Sequence, residues 1–356
     1  MASKHKYLVA MSGGVDSSVA ASMISGEGID CIGVMLKLHG NFTNNDTSCG
    51  TDADEHDACS VADRLGIPFH LYDCKDQFEK NVIERFVQSY EMGVTPNPCI
   101  ECNRYMKFGA LFEHALELGC DRIVTGHYAR IEYSEKYGRP VLKKALDETK
   151  DQSYVLYSLT RYQIEHITLP LGNFTKREIR EKATQLSLSV SDKKESQDIC
   201  FIPDGNYVSF IERYTQKEFP QGNFIDIKGN VLGKHKGIVR YTIGQHKKLG
   251  IITPEPMYVD KIIPETNEIL LVKENDLYKK EVKVSNVCWS AFDEPPKSFT
   301  AHAKLRYRHT PARVTVSVNE DGTLTLLFDE AQRAPAKGQS AVIYDDDIVL
   351  GGGVIV

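Results

Sequence analysis

The apolar run Tyr7-Leu8-Val9-Ala10 passes directly into Met11-Ser12-Gly13-Gly14-Val15-Asp16-Ser17-Ser18, and no other junction constrains the chain as much. The apolar density of residues 7–11 is that of a buried parallel strand, and the Ala, Ser and Val of residues 17–25 suit a helix opening just after the loop. Adjacent glycines allow positive φ and a close approach to a ligand, while the free N–H groups of a helix start attract an anion. Ser12, Ser17 and Ser18 add small hydroxyl donors. No lysine follows the glycines, so this is not the G-x-x-x-x-G-K-[ST] loop that serves attack at a terminal phosphoryl group. The loop reads as a pyrophosphate cradle, with ATP chemistry at the α-phosphate.

Further apolar runs at 31–36, 69–73 and 122–125 alternate with helical patterns at 54–65, 78–88 and 105–118. Such alternation predicts an α/β fold with a doubly wound parallel sheet and ligands at the strands' carboxyl ends. Met35 and Gly126 would lie at that edge, where backbone groups meet an adenine or ribose. The loop S-G-G-x-D-S resembles that of the N-type ATP pyrophosphatases, which transfer AMP to an oxygen and release pyrophosphate. The resemblance implies that Asp16 helps hold Mg2+ and the phosphates. The expected ATP-binding set is Ala10, Met11, Ser12, Gly13, Gly14, Val15, Asp16, Ser17, Met35 and Gly126.

A chain of 356 residues exceeds a typical single core. Near residue 205 the composition changes: helical periodicity fades, 222–258 is Gly-rich, and short β-branched runs follow at 283–288, 299–307, 313–318, 323–328, 340–344 and 348–355. These predict a nucleotide domain over 1–204, a small central domain over 205–279 and a C-terminal β-barrel over 280–356. No signal peptide or bilayer-length apolar segment is seen, so the expected location is cytoplasmic, without a membrane partner.

Nine cysteines, an odd number without a secretory signal, argue for a reducing compartment. Cys31, Cys74, Cys120 and Cys288 read as small core residues, while Cys49 and Cys59 flank an acidic stretch and are ambiguous. Cys99 and Cys102 sit in Thr95-Pro96-Asn97-Pro98-Cys99-Ile100-Glu101-Cys102-Asn103, where two prolines oppose regular structure. A helix starting just afterwards would place Cys102 at its N-terminus, where a thiolate is stabilised. Cys200, in Glu195-Ser196-Gln197-Asp198-Ile199-Cys200-Phe201, is the third candidate.

Together with Lys107-Phe108-Gly109, Thr125-Gly-His-Tyr-Ala-Arg130, Lys150-Asp-Gln-Ser-Tyr154 and Tyr241-Thr-Ile-Gly-Gln245, these motifs resemble, in order and along nearly the whole chain, the tRNA-specific 2-thiouridylase family. The resemblance implies replacement of the C2 oxygen of the wobble uridine by sulfur in tRNAs for glutamate, glutamine and lysine. ATP adenylates that oxygen, a persulfide on Cys200 carries the sulfur, and Cys102 acts as the nucleophile that resolves it. A cysteine desulfurase or relay protein would supply the sulfur. Asn97, Pro98 and Cys99 are implied near the target base, and Lys150, Asp151, Gln152, Arg306, Tyr307 and Gln339 as tRNA contacts. His127 is expected to contact nucleotide or RNA, or to be structural.

Family members can carry aspartate where this chain has Cys99. An alternative is therefore a [4Fe-4S] cluster held by Cys99, Cys102 and Cys200 with one open iron. Zinc would want a fourth protein ligand. Other adenylating synthetases or amidotransferases share the loop chemistry but need no cysteine pair, and a sulfur carrier or RNA-binding protein would bind tRNA without ATP turnover. The net charge of −6 opposes RNA binding, yet Lys234, Lys236, Arg240, Lys247 and Lys248 fall in an acid-free run. A second such run holds Lys297, Lys304, Arg306, Arg308 and Arg313, interleaved with Tyr307 and His309.

Overall fold

Residues 5–38, 52–188, 190–191, 193 and 199–356 are described by the computed structural model; Cys49 and Ser196-Gln197-Asp198 lie outside them. Strand β1 (Lys6–Ala10) runs into the glycine loop and helix α1 (Val15–Gly26), which returns to β2 (Asp30–Lys37). Helix α2 (Asp52–Leu65) leads to β3 (Phe69–Asp73). Two long helical stretches follow, each with a π-helical interior. The first is α3 (Lys75–Phe78), Glu79–Ile83 and α4 (Glu84–Glu91); the second is α5 (Pro98–Glu101), Cys102–Ala110 and α6 (Leu111–Glu117). After β4 (Arg122–Val124) come the hairpin β5 (Ala129–Ser134) and β6 (Arg139–Lys144), then α7 (Arg161–Glu165), β7 (Ile167–Thr168), α8 (Lys176–Gln185) and α9 (Tyr207–Thr215).

The first sheet is five-stranded, in the order β3-β2-β1-β4-β7, and all its pairings are parallel. Alternation along each strand feeds two cores. Leu8, Ile32, Val34 and Ile123 join Phe108 and Leu111 on one face, while Val9, Cys31, Met35 and Val124 join Val19, Ala20 and Ile24 of α1 on the other. Both faces are covered, which is why the strands read as continuous apolar runs. The order reverses at β1, with β2 on one side and β4 on the other, so the switch point falls where the glycine loop emerges.

The central domain is a four-stranded sheet of β8 (Gly222–Ile225), β9 (Val231–His235), β10 (Tyr258–Ile263) and β11 (Glu268–Val272), packed around Phe224, Val239, Val259 and Leu271. The last six strands are β12 (Tyr278–Trp289), β13 (Ser298–Lys304), β14 (Ala312–Val318), β15 (Leu324–Arg333), β16 (Ser340–Asp345) and β17 (Ile348–Ile355). Pairing of β12 with both β15 and β17 closes them into a barrel around Val282, Val314, Val316, Leu326 and Phe328.

Residues 129–144 were not expected to form strands. The hairpin β5–β6 extends the barrel's sheet through Ile348↔Lys143, anchored by Arg130 to Asp347 at 2.7 Å and Lys143 to Asp347 at 3.0 Å. Its pairing with the barrel is fastened by charge. No helix among the described residues is long and apolar enough to cross a membrane.

Candidate active site

Gly13 has φ +69°, and a Cβ there would lie 2.3 Å from the carbonyl oxygen of Asp54, so both conformation and packing require glycine. Ser17 and Ser18 are buried and donate their hydroxyls to the Gly14 carbonyl at 3.1 and 2.9 Å. These two serines were expected to face phosphate; they shape the loop instead, and Ser12 is the exposed hydroxyl. Helix α1 has no side-chain cap, leaving its first N–H groups to a ligand. Gly126, in the loop after β4, lies against Asp16 and Ser17: a Cβ would come within 2.8 Å of their backbone. Val15 and Met35 are buried, and Met11 N donates to the Val34 carbonyl at 2.9 Å, tying the loop to β2.

Two lysines that sequence reasoning missed converge on this loop. Lys176 Nζ donates to both carboxylate oxygens of Asp16 at 2.7 and 2.8 Å, and the Tyr128 hydroxyl donates to Asp16 Oδ1 at 2.8 Å. Lys176 begins α8, whose capping box joins Thr175 and Glu178. Lys193 Nζ donates to the Gly13 carbonyl at 2.9 Å and to Asp54 and Asp57 at 2.6 Å each. Burial would pull this ammonium's pKa down, but the two carboxylates outweigh it and raise it. The sequence Thr-Lys-Arg-Glu carried the signal for the α8 start; Lys193 carried none.

The Cys102 expectation needs correction. The helix starts at Pro98, not after Asn103. Asn97 caps it, its Oδ1 accepting from Cys99 N at 3.2 Å, and Pro98 occupies the first turn, where a missing N–H does no harm. Cys102 therefore lies one turn inside, its N–H bonded to the carbonyls of Cys99 and Pro98. It is 8% exposed in an apolar cluster with Phe78, Phe86, Met106, Phe201 and Phe210, and Cys200 packs half-buried against that same cluster. Phe201 fixes the Cys200 segment through edge contacts to Phe78 at 5.8 Å and Phe86 at 5.4 Å.

The other thiols differ in exposure. Cys31, Cys74 and Cys120 are buried, and burial, reinforced by Asp73, pushes the Cys74 thiol up to about 12. Cys288, expected in the core, is half-buried with Sγ 3.6 Å from the Ser158 carbonyl; Cys59 is half-buried on α2.

Cys99, on the first turn of α5, is exposed. The crowded surroundings push its thiol pKa up while Lys107 opposes them. Tyr307, whose ionisation Cys99 influences, donates its hydroxyl to the Asp151 carbonyl at 3.0 Å. The Asp151 carboxylate is buried and accepts from Ala145 N, Ser153 N and Ser153 Oγ. Gln152 and Tyr128 exchange two bonds at 2.8 and 2.9 Å, and Lys150 N donates to the Asp147 carbonyl at 3.0 Å. Gln339 donates to the carbonyls of Thr95 and Pro96, and Arg306 to that of Arg333. Pro98 is buried and Asn97 half-buried. His127 is 7% exposed, with Nδ1 2.8 Å from Thr125 Oγ1; burial, then Lys107, holds its pKa well below 6.5. Of the first basic run, Arg240 pairs with Glu212, whereas Lys234, Lys236, Lys247 and Lys248 are exposed.

No three His, Cys, Asp or Glu side chains among the described residues are grouped to hold a metal ion. Cys99 is exposed while Cys102 is buried in the aromatic cluster, so the thiols do not fit an iron–sulfur cluster in this arrangement. Mg2+ takes one or two carboxylates plus phosphates; Asp16, whose oxygens are paired with Lys176 and Tyr128, is the carboxylate on the loop itself, with Asp54 and Asp57 joined to the loop through Lys193.

Residues 5–204 match the tRNA methyl transferase HUP domain, 208–273 the tRNA methyl transferase PRC-barrel domain and 279–355 the aminomethyltransferase β-barrel domain. The chain is 46% identical over 358 residues to the tRNA-specific 2-thiouridylase MnmA of Acetivibrio thermocellus, covering 99% of each. The chain belongs to the tRNA-specific 2-thiouridylase family. The Clostridioides difficile member is 44% identical over 352 residues, covering 98% of each. Among solved structures, a 4-thiouridine synthetase–RNA complex with bound ATP overlaps 59% of this chain and 50% of that one, at 16% identity and a TM-score of 0.36. The loop with Asp16, Lys176 and Lys193 is charged, and the cluster that includes Cys102 and packs against Cys200 is apolar.

Proposed function

We propose that this protein is a tRNA-uridine 2-sulfurtransferase that uses ATP to thiolate C2 of the wobble uridine in tRNAs for glutamate, glutamine and lysine. The observation that carries this reading is that Cys102 and Cys200, remote in sequence, share one apolar cluster in a chain whose pyrophosphate loop sits at the sheet's switch point.

The uracil C2 oxygen is a poor leaving group. It attacks the α-phosphorus of ATP, the bond to pyrophosphate breaks, and the N3 proton is lost to solvent. The N–H groups of α1 and the ammonium of Lys176 face the departing charge. Mg2+, when bound by Asp16 and the phosphates, neutralises pyrophosphate charge. The outer sulfur of a Cys200 persulfide then attacks C2 and AMP leaves. Cys102 attacks Cys200 Sγ, freeing the thiocarbonyl and leaving a Cys102–Cys200 disulfide for a cellular reductant to open. Release of sulfide by Cys102 before attack on C2 balances equally. The sulfur enters from a cysteine desulfurase, directly or through a relay protein, and exposed lysines of the central domain meet tRNA phosphates.

The test is ATP-dependent sulfur incorporation into unmodified glutamate tRNA by iron-free, persulfide-loaded protein, resolved on a mercury gel. A retarded band is expected. No band, with activity appearing only after anaerobic reconstitution with iron and sulfide, would overturn the persulfide route.

A further inference from the structure

Lys107 belongs to a motif that neither the phosphate loop nor the cysteine pair absorbs. It is half-buried, and among the described residues its ammonium has no hydrogen-bond or ion-pair partner. Cys99, Asn103 and Lys107 are spaced by four along one continuous helical stretch, so they share a face, on which Cys99 is exposed, Lys107 half-buried and Asn103 buried. The position of Lys107 is corroborated from two other directions, since its charge is felt by the Cys99 thiol and by His127 in the loop after β4.

Asn103 is 2% exposed. Its Nδ2 donates to the Val155 carbonyl at 3.0 Å, while its Oδ1 is buried with no partner. The amide orientation is settled by that bond, because the reverse would set two oxygens together. A buried acceptor left unpaired calls for a donor from a ligand. Both residues lie in the π-helical stretch Cys102–Ala110, and such distortions are frequent at functional sites.

We infer that Asn103 and Lys107 read the Watson–Crick edge of the target base, Asn103 Oδ1 accepting from uracil N3–H and Lys107 Nζ donating to O4. This rests on the proposed uridine substrate. The chemistry gives the pair a purpose. Cytosine also has a C2 carbonyl that ATP can adenylate, so the two pyrimidines differ only at N3 and C4. Cytosine presents an N3 lone pair and an N4 amino group, which oppose an acceptor and an ammonium respectively. The acceptor–donor order along the helix face matches uracil and rejects cytosine.

The experiment compares tRNA-dependent pyrophosphate release on glutamate tRNA carrying a wobble uridine with the same tRNA carrying a wobble cytidine. Wild-type protein strongly prefers uridine. Lys107→Met is expected to shrink the uridine-to-cytidine ratio of kcat/KM by roughly 10- to 100-fold, as for a lost charge-assisted hydrogen bond, and Lys107→Arg to retain most of it. Circular dichroism identifies any variant that fails to fold. As a protein-independent arm, wild-type protein should bind tRNA with a wobble 3-methyluridine without turning it over. An unchanged ratio in a folded Lys107→Met variant, or equal losses on both tRNAs, overturns the inference. Failure of the wild type to make 2-thiouridine would instead overturn the functional reading beneath it.

Discussion

At the glycine loop the decisive side chains are charged and already bonded to one another, Asp16 to Lys176 and Lys193 to Asp54 and Asp57, whereas around Cys102 and Cys200 they are the rings of Phe78, Phe86, Phe201 and Phe210. The charged end is preorganised for an anion: its dipoles and ammonium groups stand in place before ATP arrives, which is where electrostatic catalysis is most effective. The aromatic end is built from buried apolar side chains, with Cys102 among them and Cys200 packed against them. Under the proposed function, adenylation would take place at the polar loop and sulfur transfer beside the apolar cluster. The two half-reactions should be separable by mutation.

The largest effect sharpens that division. Cys200→Ser or Cys102→Ser should reduce multiple-turnover thiolation by more than about 10³-fold while tRNA-dependent pyrophosphate release continues. Loss of both half-reactions in a folded variant would break the comparison. At the other end, Lys176→Met should slow pyrophosphate release by roughly 10²-fold, read as a fall in kcat greater than the rise in KM for ATP. Phe201→Ala should destabilise the protein by about 3–5 kcal/mol in urea unfolding and slow thiolation more than pyrophosphate release.

Two smaller effects concern His127 and Gln339. His127 is held neutral below its ordinary pKa of 6.5 by burial, so the unfolded chain binds a proton there that the folded chain does not. Its contribution to stability is present above pH 6.5 and is lost as the pH falls below that value. His127→Asn, which cannot titrate, should flatten the decline of Tm between pH 7 and 5. Gln339→Ala removes bonds to the Thr95 and Pro96 carbonyls and should cost about 1 kcal/mol or slightly more, the smallest of these changes.

The fold was most legible where one physical signal dominated. Strands β1, β2 and β4, rich in buried residues, show as apolar runs, and the barrel strands as short β-branched runs between turns. The hairpin β5–β6 was not expected, although Ala129, Ile131 and Tyr133 alternate with Arg130, Glu132 and Ser134; the charges that tie it to the barrel pair only in the tertiary structure. The helix at Pro98 was missed because two prolines suggest a break, whereas Asn97-Pro98 is a cap followed by the one helical position that suits proline. The loop carried its own identity through Gly13, but Lys176 and Lys193 reach it from distant segments, and only tertiary structure joins them. The same holds for Cys102 and Cys200: composition marked each as unusual, and the packing of Phe201 makes them neighbours in one cluster.

The most direct test of the account is a single turnover with persulfide-loaded protein, ATP and unmodified tRNA in the absence of reductant, followed by mass spectrometry of the Cys102 and Cys200 peptides. One Cys102–Cys200 disulfide for each 2-thiouridine formed is the predicted result. Stoichiometric 2-thiouridine with Cys102 still a free thiol would contradict the central claim that the two cysteines act as a pair.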